Sequence, residues 1–179
     1  LNNHLIENLP LLPIGLFKIY DLISSDPETS TKVITSSGTS NGRVSKIFLD
    51  GTTAKHQSTA LCKILSDFVG PRRLPMLIVD NEDAVSNRKT FAARGAGILG
   101  FSMIGYDRTF ILNSDMELEI DVILSFVEKH KGKLKLIFGL TSYIWKYLCL
   151  AMKNQLKFMD LSNSVLFHGG GWKTLEKEA

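Results

Sequence analysis

Leu74-Pro75-Met76-Leu77-Ile78-Val79-Asp80 is the stretch on which the fold turns. Six apolar residues run without a break and stop at a carboxylate. A strand with one wet face alternates apolar and polar side chains. An unbroken run instead marks a strand covered on both faces, as inside a parallel sheet.

The chain alternates outward from this run. On its N-terminal side, residues 53–68 place Leu61, Ile64, Leu65 and Phe68 at three- and four-residue spacing, and Gly70-Pro71 stops the helix they predict. On its C-terminal side, residues 88–104 are rich in Ala and Gly and predict a tightly packed helix. Thr109–Leu112 reads as a short strand. Glu117–His130 reads as a helix with Leu118, Val122, Phe126 and Val127 inward. Leu134–Phe138 reads as a strand ending at Gly139, and residues 141–155 as a helix carrying Trp145, Tyr147, Leu148 and Met152. Ser164–Phe167 is a last strand that runs into a glycine tract, and residues 173–179 begin another helix. Strands separated by helices predict an α/β fold: a mostly parallel sheet with helices on both faces. Ligands of such sheets bind at the carboxyl ends of the strands. Residues 1–31, with Pro10, Pro13 and Pro27, read as an extended lead-in with one helical turn near residues 15–21; residues 32–179 form the α/β core.

Bulk properties exclude several classes. The chain has 179 residues, 44% of them apolar, enough for a sizeable core. A net charge of +3 with scattered basic residues gives no nucleic-acid stripe, and no apolar run reaches a membrane-spanning length of about 18 residues. Cys62 and Cys149 fall in helical patterns without CxxC or zinc spacing, so they read as buried thiols in a reducing, cytoplasmic protein with no metal of its own. The chain starts at Leu1 and stops at Ala179 in what reads as the first turns of a helix, and the expectation is a piece of something longer.

Three segments carry candidate chemistry. The first is Thr35-Ser36-Ser37-Gly38-Thr39-Ser40-Asn41-Gly42-Arg43-Val44-Ser45-Lys46, held between the strand-like Lys32-Val33-Ile34 and Lys46-Ile47-Phe48-Leu49. Glycines let backbone N–H groups approach an anion, hydroxyls add donors, and a lysine supplies charge. It is not a P-loop, which needs four residues between its glycines and a lysine directly after the second; here three residues separate Gly38 from Gly42 and Arg43 follows. The same composition also suits a surface linker.

The second is His168-Gly169-Gly170-Gly171-Trp172-Lys173. One glycine is enough for a strand-to-helix turn; three leave exposed backbone against which a flat heterocycle can lie. The third is Phe138-Gly139-Leu140-Thr141-Ser142, where Thr141 either caps the next helix or joins Gly139 and the nearby aromatics in lining an apolar pocket. Arg94, in Ala92-Ala93-Arg94-Gly95-Ala96-Gly97, is a charge in an apolar stretch and needs a partner: a ligand anion, a carboxylate or solvent.

Together, Leu16-Phe17-Lys18, Ser36-Ser37-Gly38-Thr39, Ser45-Lys46-Ile47, Phe138-Gly139-Leu140-Thr141 and His168-Gly169-Gly170-Gly171-Trp172-Lys173 resemble the acyl-protein synthetase (LuxE-like) family of adenylate-forming ligases. That resemblance implies an incomplete N-terminal adenylating domain. It implies that a carboxylic acid, typically fatty, attacks the α-phosphate of MgATP to give an acyl-adenylate, and that the acyl group then passes to a thiol. By position, Ser36, Ser37, Gly38, Thr39, Ser40, Gly42 and Lys46 would hold ATP phosphates. His168, Gly169, Gly170 and Gly171, with Phe138, Gly139 and Thr141, would face adenosine and the acyl group. The family places its catalytic lysine and acyl-accepting cysteine beyond residue 179, so this chain alone is expected to be inactive. Partners implied are the acid and an acyl-accepting or reductase protein. A non-catalytic partner- or nucleotide-binding module, or an acyl-CoA ligase, remains open.

Overall fold

The computed structural model describes residues 10–24, 26, 30–36, 44–86, 90–154, 159–172 and 175. In chain order its elements are a 3-10 turn Ile14–Lys18, β1 (Ser30–Thr35), β2 (Lys46–Asp50), α1 (Gly51–Val69), β3 (Leu74–Val79), a second 3-10 turn Glu82–Val85, β4 (Thr90–Ala92), α2 (Ala93–Phe101), β5 (Gly105–Phe110), α3 (Ile120–Lys129), β6 (Lys135–Leu140), α4 (Thr141–Tyr143), a π-helical segment Ile144–Cys149, α5 (Leu150–Asn154) and β7 (Ser164–Gly169).

The apolar run at 74–79 is an interior strand with all six residues buried. Four strands form a parallel sheet in the order β5-β3-β6-β7. Alternate β3 side chains face opposite layers. Leu77 and Val79 pack with Ile123 and Phe126 of α3 and with Ile144 and Leu148 of the π segment. Met76 and Ile78 pack with Leu65 of α1 and Ile98 of α2. The expected α/β architecture, with a parallel sheet and helices on both faces, is therefore present. Pro75 has no N–H to give to β5, and the β3–β5 register shifts between Pro75 and Leu77.

Local chemistry sets the ends. The Asp50 carboxylate accepts from the Thr53 backbone N–H at 2.6 Å and opens α1. Gly70, at φ 80°, closes it. Gly105 starts β5 against Met76, whose Sδ would lie 2.5 Å from any added Cβ.

Several expectations need correction. Residues 88–104 are not one helix: the backbone of Thr90–Ala92 is extended because it pairs in parallel with Val33–Thr35 of β1, and α2 begins only at Ala93. The strands flanking the hydroxyl-rich segment do not join the main sheet. They build a separate sheet, β2-β1-β4, in which β1 and β2 are antiparallel. α3 starts at Ile120, not Glu117, because the Asn113 side chain captures the N–H groups of Asp115 and Glu117, and Glu119 donates to Ile111 instead. The helix after β6 widens into a π segment at Ile144–Cys149. Cys62 and Cys149 are free and only partly buried. The helix expected at 173–179 lies outside the described residues, apart from residue 175.

Candidate functional site

The strand order creates a topological switch point. β3 has β5 on one side and β6 on the other, so the sheet grows in both directions from β3. The segment leaving β3 goes to the α1/α2 layer; the segment leaving β6 goes to the α3 layer. The two connections diverge, and the gap above the carboxyl ends of β3 and β6 is the switch point at which doubly wound sheets bind ligands.

Asp80 stands at the end of β3 and is 2% exposed. Arg94, the second residue of α2, reaches across. Its Nε lies 3.5 Å from Asp80 Oδ2, and its Nη1 donates to the Tyr143 hydroxyl at 2.9 Å. The guanidinium also sits 5.8 Å from the centre of the Tyr143 ring. The partner that the sequence demands for Arg94 is thus a carboxylate. Burial pushes the Asp80 carboxyl above its ordinary value; the Asn81 N–H at 2.8 Å and Arg94 pull the other way.

Thr141 stands at the end of β6. Its hydroxyl lies 3.0 Å from His168 Nδ1, 3.1 Å from the Gly169 carbonyl oxygen and 3.0 Å from that of Gly170. One side chain therefore ties the second and third sequence motifs together. The hydroxyl makes no capping bond to α4, whose N-cap is Leu140. His168, Gly169, Gly170 and Gly171 are exposed. Gly170 has φ 86°, which a side chain rarely adopts, whereas an added Cβ at Gly169 would meet nothing within 4 Å. Packing does not account for a glycine at 169.

Phe138 and Gly139 lie beneath this surface. Phe138 is buried and stacks on Phe101 at 4.3 Å. The space beside Gly139 is taken by Ile144 and Val79, whose atoms would be 2.9 and 3.0 Å from a Cβ.

Of the hydroxyl-rich segment, Ser37, Gly38, Thr39, Ser40 and Gly42 lie outside the described residues. Its neck is described. Ser36 N–H donates to the Ser45 carbonyl at 3.0 Å, and Ser45 N–H donates to Ser36 Oγ at 2.9 Å. Lys46 Nζ is held by Asp21 at 3.0 and 3.2 Å, both side chains being about half exposed. The neck adjoins β4, the strand that leads into α2. Thr35, the residue before Ser36, pairs with Ala92, two positions before Arg94.

The apolar volume on this flank is a groove of about 500 Å³ between α1, α2 and the small sheet, walled by Ile34, Leu49, Leu61, Ala96 and Leu99. Among the described residues no three His, Cys, Asp or Glu side chains converge to hold a metal. No helix described is long and apolar enough to cross a membrane. Burial raises the Cys149 thiol, which makes it a poorer nucleophile.

Asp80 and Tyr143 complete a site that sequence reasoning only partly saw. A carboxylate closing an all-apolar strand was a usable signal for Asp80. Tyr143 had none, since its position opposite Arg94 comes from the pairing of β3 with β6.

A family model described as "Acyl-protein synthetase, LuxE" matches residues 1–179, the whole chain. No curated protein and no solved structure matches it.

Proposed function

Because the chain belongs to the acyl-protein synthetase (LuxE) family, we propose that it carries the nucleotide- and acid-binding surface of an ATP-dependent acid–thiol ligase. A carboxylate oxygen attacks the α-phosphorus of ATP, pyrophosphate leaves, and the acyl-adenylate hands its acyl group to a thiol. In this reading Ser36, Ser37, Gly38, Thr39, Ser40, Gly42 and Lys46 receive the β- and γ-phosphates. Negative charge builds on the departing pyrophosphate, and preorganised N–H and hydroxyl donors with a lysine stabilise it where it develops. His168 and Gly169–Gly171, steadied by Thr141, face the adenosine and the acyl carbonyl, with Phe138 and Gly139 supporting that surface from beneath.

One observation carries the reading: the Thr141 hydroxyl joins the end of β6 to His168, Gly169 and Gly170 at the carboxyl ends of the neighbouring strands β6 and β7. It brings two motifs, 27 to 29 residues apart in sequence, to the place where α/β sheets take ligands. The groove walled by Ile34, Leu61 and Ala96 offers an aliphatic chain an apolar bed whose β1 side leads, two residues beyond Ile34, to Ser36. Its volume lies within the roughly 300–1,000 Å³ of ordinary ligand pockets. Magnesium travels with the ATP phosphates in this reading; it typically keeps several waters and needs few protein ligands.

The test is acid-dependent exchange of labelled pyrophosphate into ATP by the full-length protein, using acids of different length. Exchange that requires a carboxylic acid supports the reading, and its absence with every acid refutes it. On this chain, ATP binding should vanish in the Ser37→Ala/Lys46→Ala double variant.

A further inference from the structure

Thr141 Oγ has one proton and three close neighbours. Two of these, the carbonyl oxygens of Gly169 and Gly170, can only accept. The hydroxyl proton therefore goes to them, singly or shared. Toward His168 Nδ1, 3.0 Å away, the oxygen has only lone pairs to offer. The hydrogen on that contact must come from the ring, so Nδ1 carries the proton. In the neutral imidazole Nε2 is then a bare lone pair. His168 is exposed, and among the described residues Nε2 has no partner.

We propose that Thr141 holds His168 as the Nδ1–H tautomer so that Nε2 takes the proton of the thiol that receives the acyl group. This rests on the acyl-transfer reading above. The thiol S–H bond breaks, and its proton goes to Nε2. The sulfur lone pair forms a C–S bond to the acyl carbonyl carbon. The C–O bond to the adenylate phosphate breaks, AMP leaves with that electron pair, and the imidazolium later returns its proton to water. No oxidant or further reactant is needed. His168 is the catalytic residue of this step and Thr141 its positioning residue.

Two measurements decide it. The first is nitrogen-15 NMR of the histidines in this chain. His168 should show a protonated Nδ1 and a bare Nε2; Thr141→Val should lose that bias and Thr141→Ser should keep it. A bare Nδ1 in the wild type, or no change in Thr141→Val, overturns the proposal.

The second compares acyl transfer by the full-length protein to two small thiols at neutral pH. N-Acetylcysteamine is mostly protonated there, whereas 4-nitrothiophenol is already ionised and needs no base. His168→Gln should lower the alkyl-to-aryl rate ratio by about 10²-fold, the scale of a lost general base. Thr141→Val should lower it too, and Thr141→Ser should restore it. The ratio stays readable even if acyl-adenylate formation also slows. An unchanged ratio in His168→Gln overturns the role of Nε2. Hydroxylamine trapping separates the two levels: a wild type that yields no acyl hydroxamate from ATP and acid defeats the ligase reading itself, whereas a normal hydroxamate yield with an unchanged ratio defeats only the role given to His168.

Discussion

Arg94 on α2 and Tyr143, just past the end of β6, meet at 2.9 Å and bridge the two layers that diverge from β3 and β6. The same guanidinium is the charge partner of Asp80, which is almost wholly buried. The contact joins layers that approach each other only because β3 and β6 are neighbours.

Arg94→Ala should therefore destabilise the chain more than an exposed ion pair would suggest. It leaves the Asp80 carboxylate without its cation, a situation that costs about 3–5 kcal/mol when both partners are fully buried. Arg94 is 30% exposed, so about 2–3 kcal/mol is expected after solvent screening. Adding Asp80→Asn should recover most of it. Urea unfolding of the single and double variants measures the coupling; an Arg94→Ala loss that Asp80→Asn leaves untouched would refute the pairing.

Asp80 and Asp107 should bend the stability–pH curve in opposite directions. Burial raises the Asp80 carboxyl, so the native state holds its proton where the unfolded chain has lost it. Stability from this group is present below the unfolded value and falls as pH rises through the folded one. Asp107 is lowered by Lys129 and His130, which contact it at 2.8 and 2.6 Å. Its contribution is present above the unfolded value and is lost as pH falls through the folded one. Asp80→Asn should flatten the first trend and Asp107→Asn the second, read as thermal midpoints across the acid range.

Three glycines should separate packing from function. Gly105→Ala and Gly139→Ala push a methyl against Met76 and against Ile144 and Val79, and each should cost about 1–3 kcal/mol. Gly169→Ala has open space and should leave the melting temperature nearly unchanged. In the ligase reading Gly169→Ala nonetheless weakens nucleotide binding, because the methyl sits on the exposed surface beside His168. A stable Gly169→Ala variant that binds ATP normally would remove this residue from the site.

Lys46 should trade partners. Its ion pair with Asp21 is half exposed and contributes less than about 1 kcal/mol to stability. Asp21→Asn frees the ammonium, so ATP affinity should rise a few-fold while unfolding is little changed. Calorimetric titration checks it, and weaker ATP binding in Asp21→Asn would count against Lys46 as a phosphate ligand.

The groove should discriminate by chain length. Ala96→Phe fills the space beside Leu61 and Leu99. Exchange driven by a long-chain acid should fall at least about tenfold relative to a four-carbon acid, since each buried methylene contributes about 0.8 kcal/mol. Equal losses for both acids would place the chain elsewhere.

The sequence by itself determined what is local. Unbroken apolarity made residues 74–79 an interior strand, and three- and four-residue spacing marked residues 53–68 as a helix, although of the four residues that carry that spacing Leu65 is buried and Leu61 partly so, while Ile64 and Phe68 face solvent. The need of Arg94 for a partner was equally legible, since a charge in an apolar stretch must be neutralised somewhere. Only the tertiary structure decided which groups answer. Thr90–Ala92 is extended because β1 lies beside it, against a composition that suits a helix. Gly139 is tied to the close approach of Ile144, and the Thr141 hydroxyl donates to the Gly169 and Gly170 carbonyls while accepting no capping bond from its own helix. These are contacts between residues far apart in the chain, set by strand order, and strand order is fixed by packing among all the layers at once rather than by any single segment.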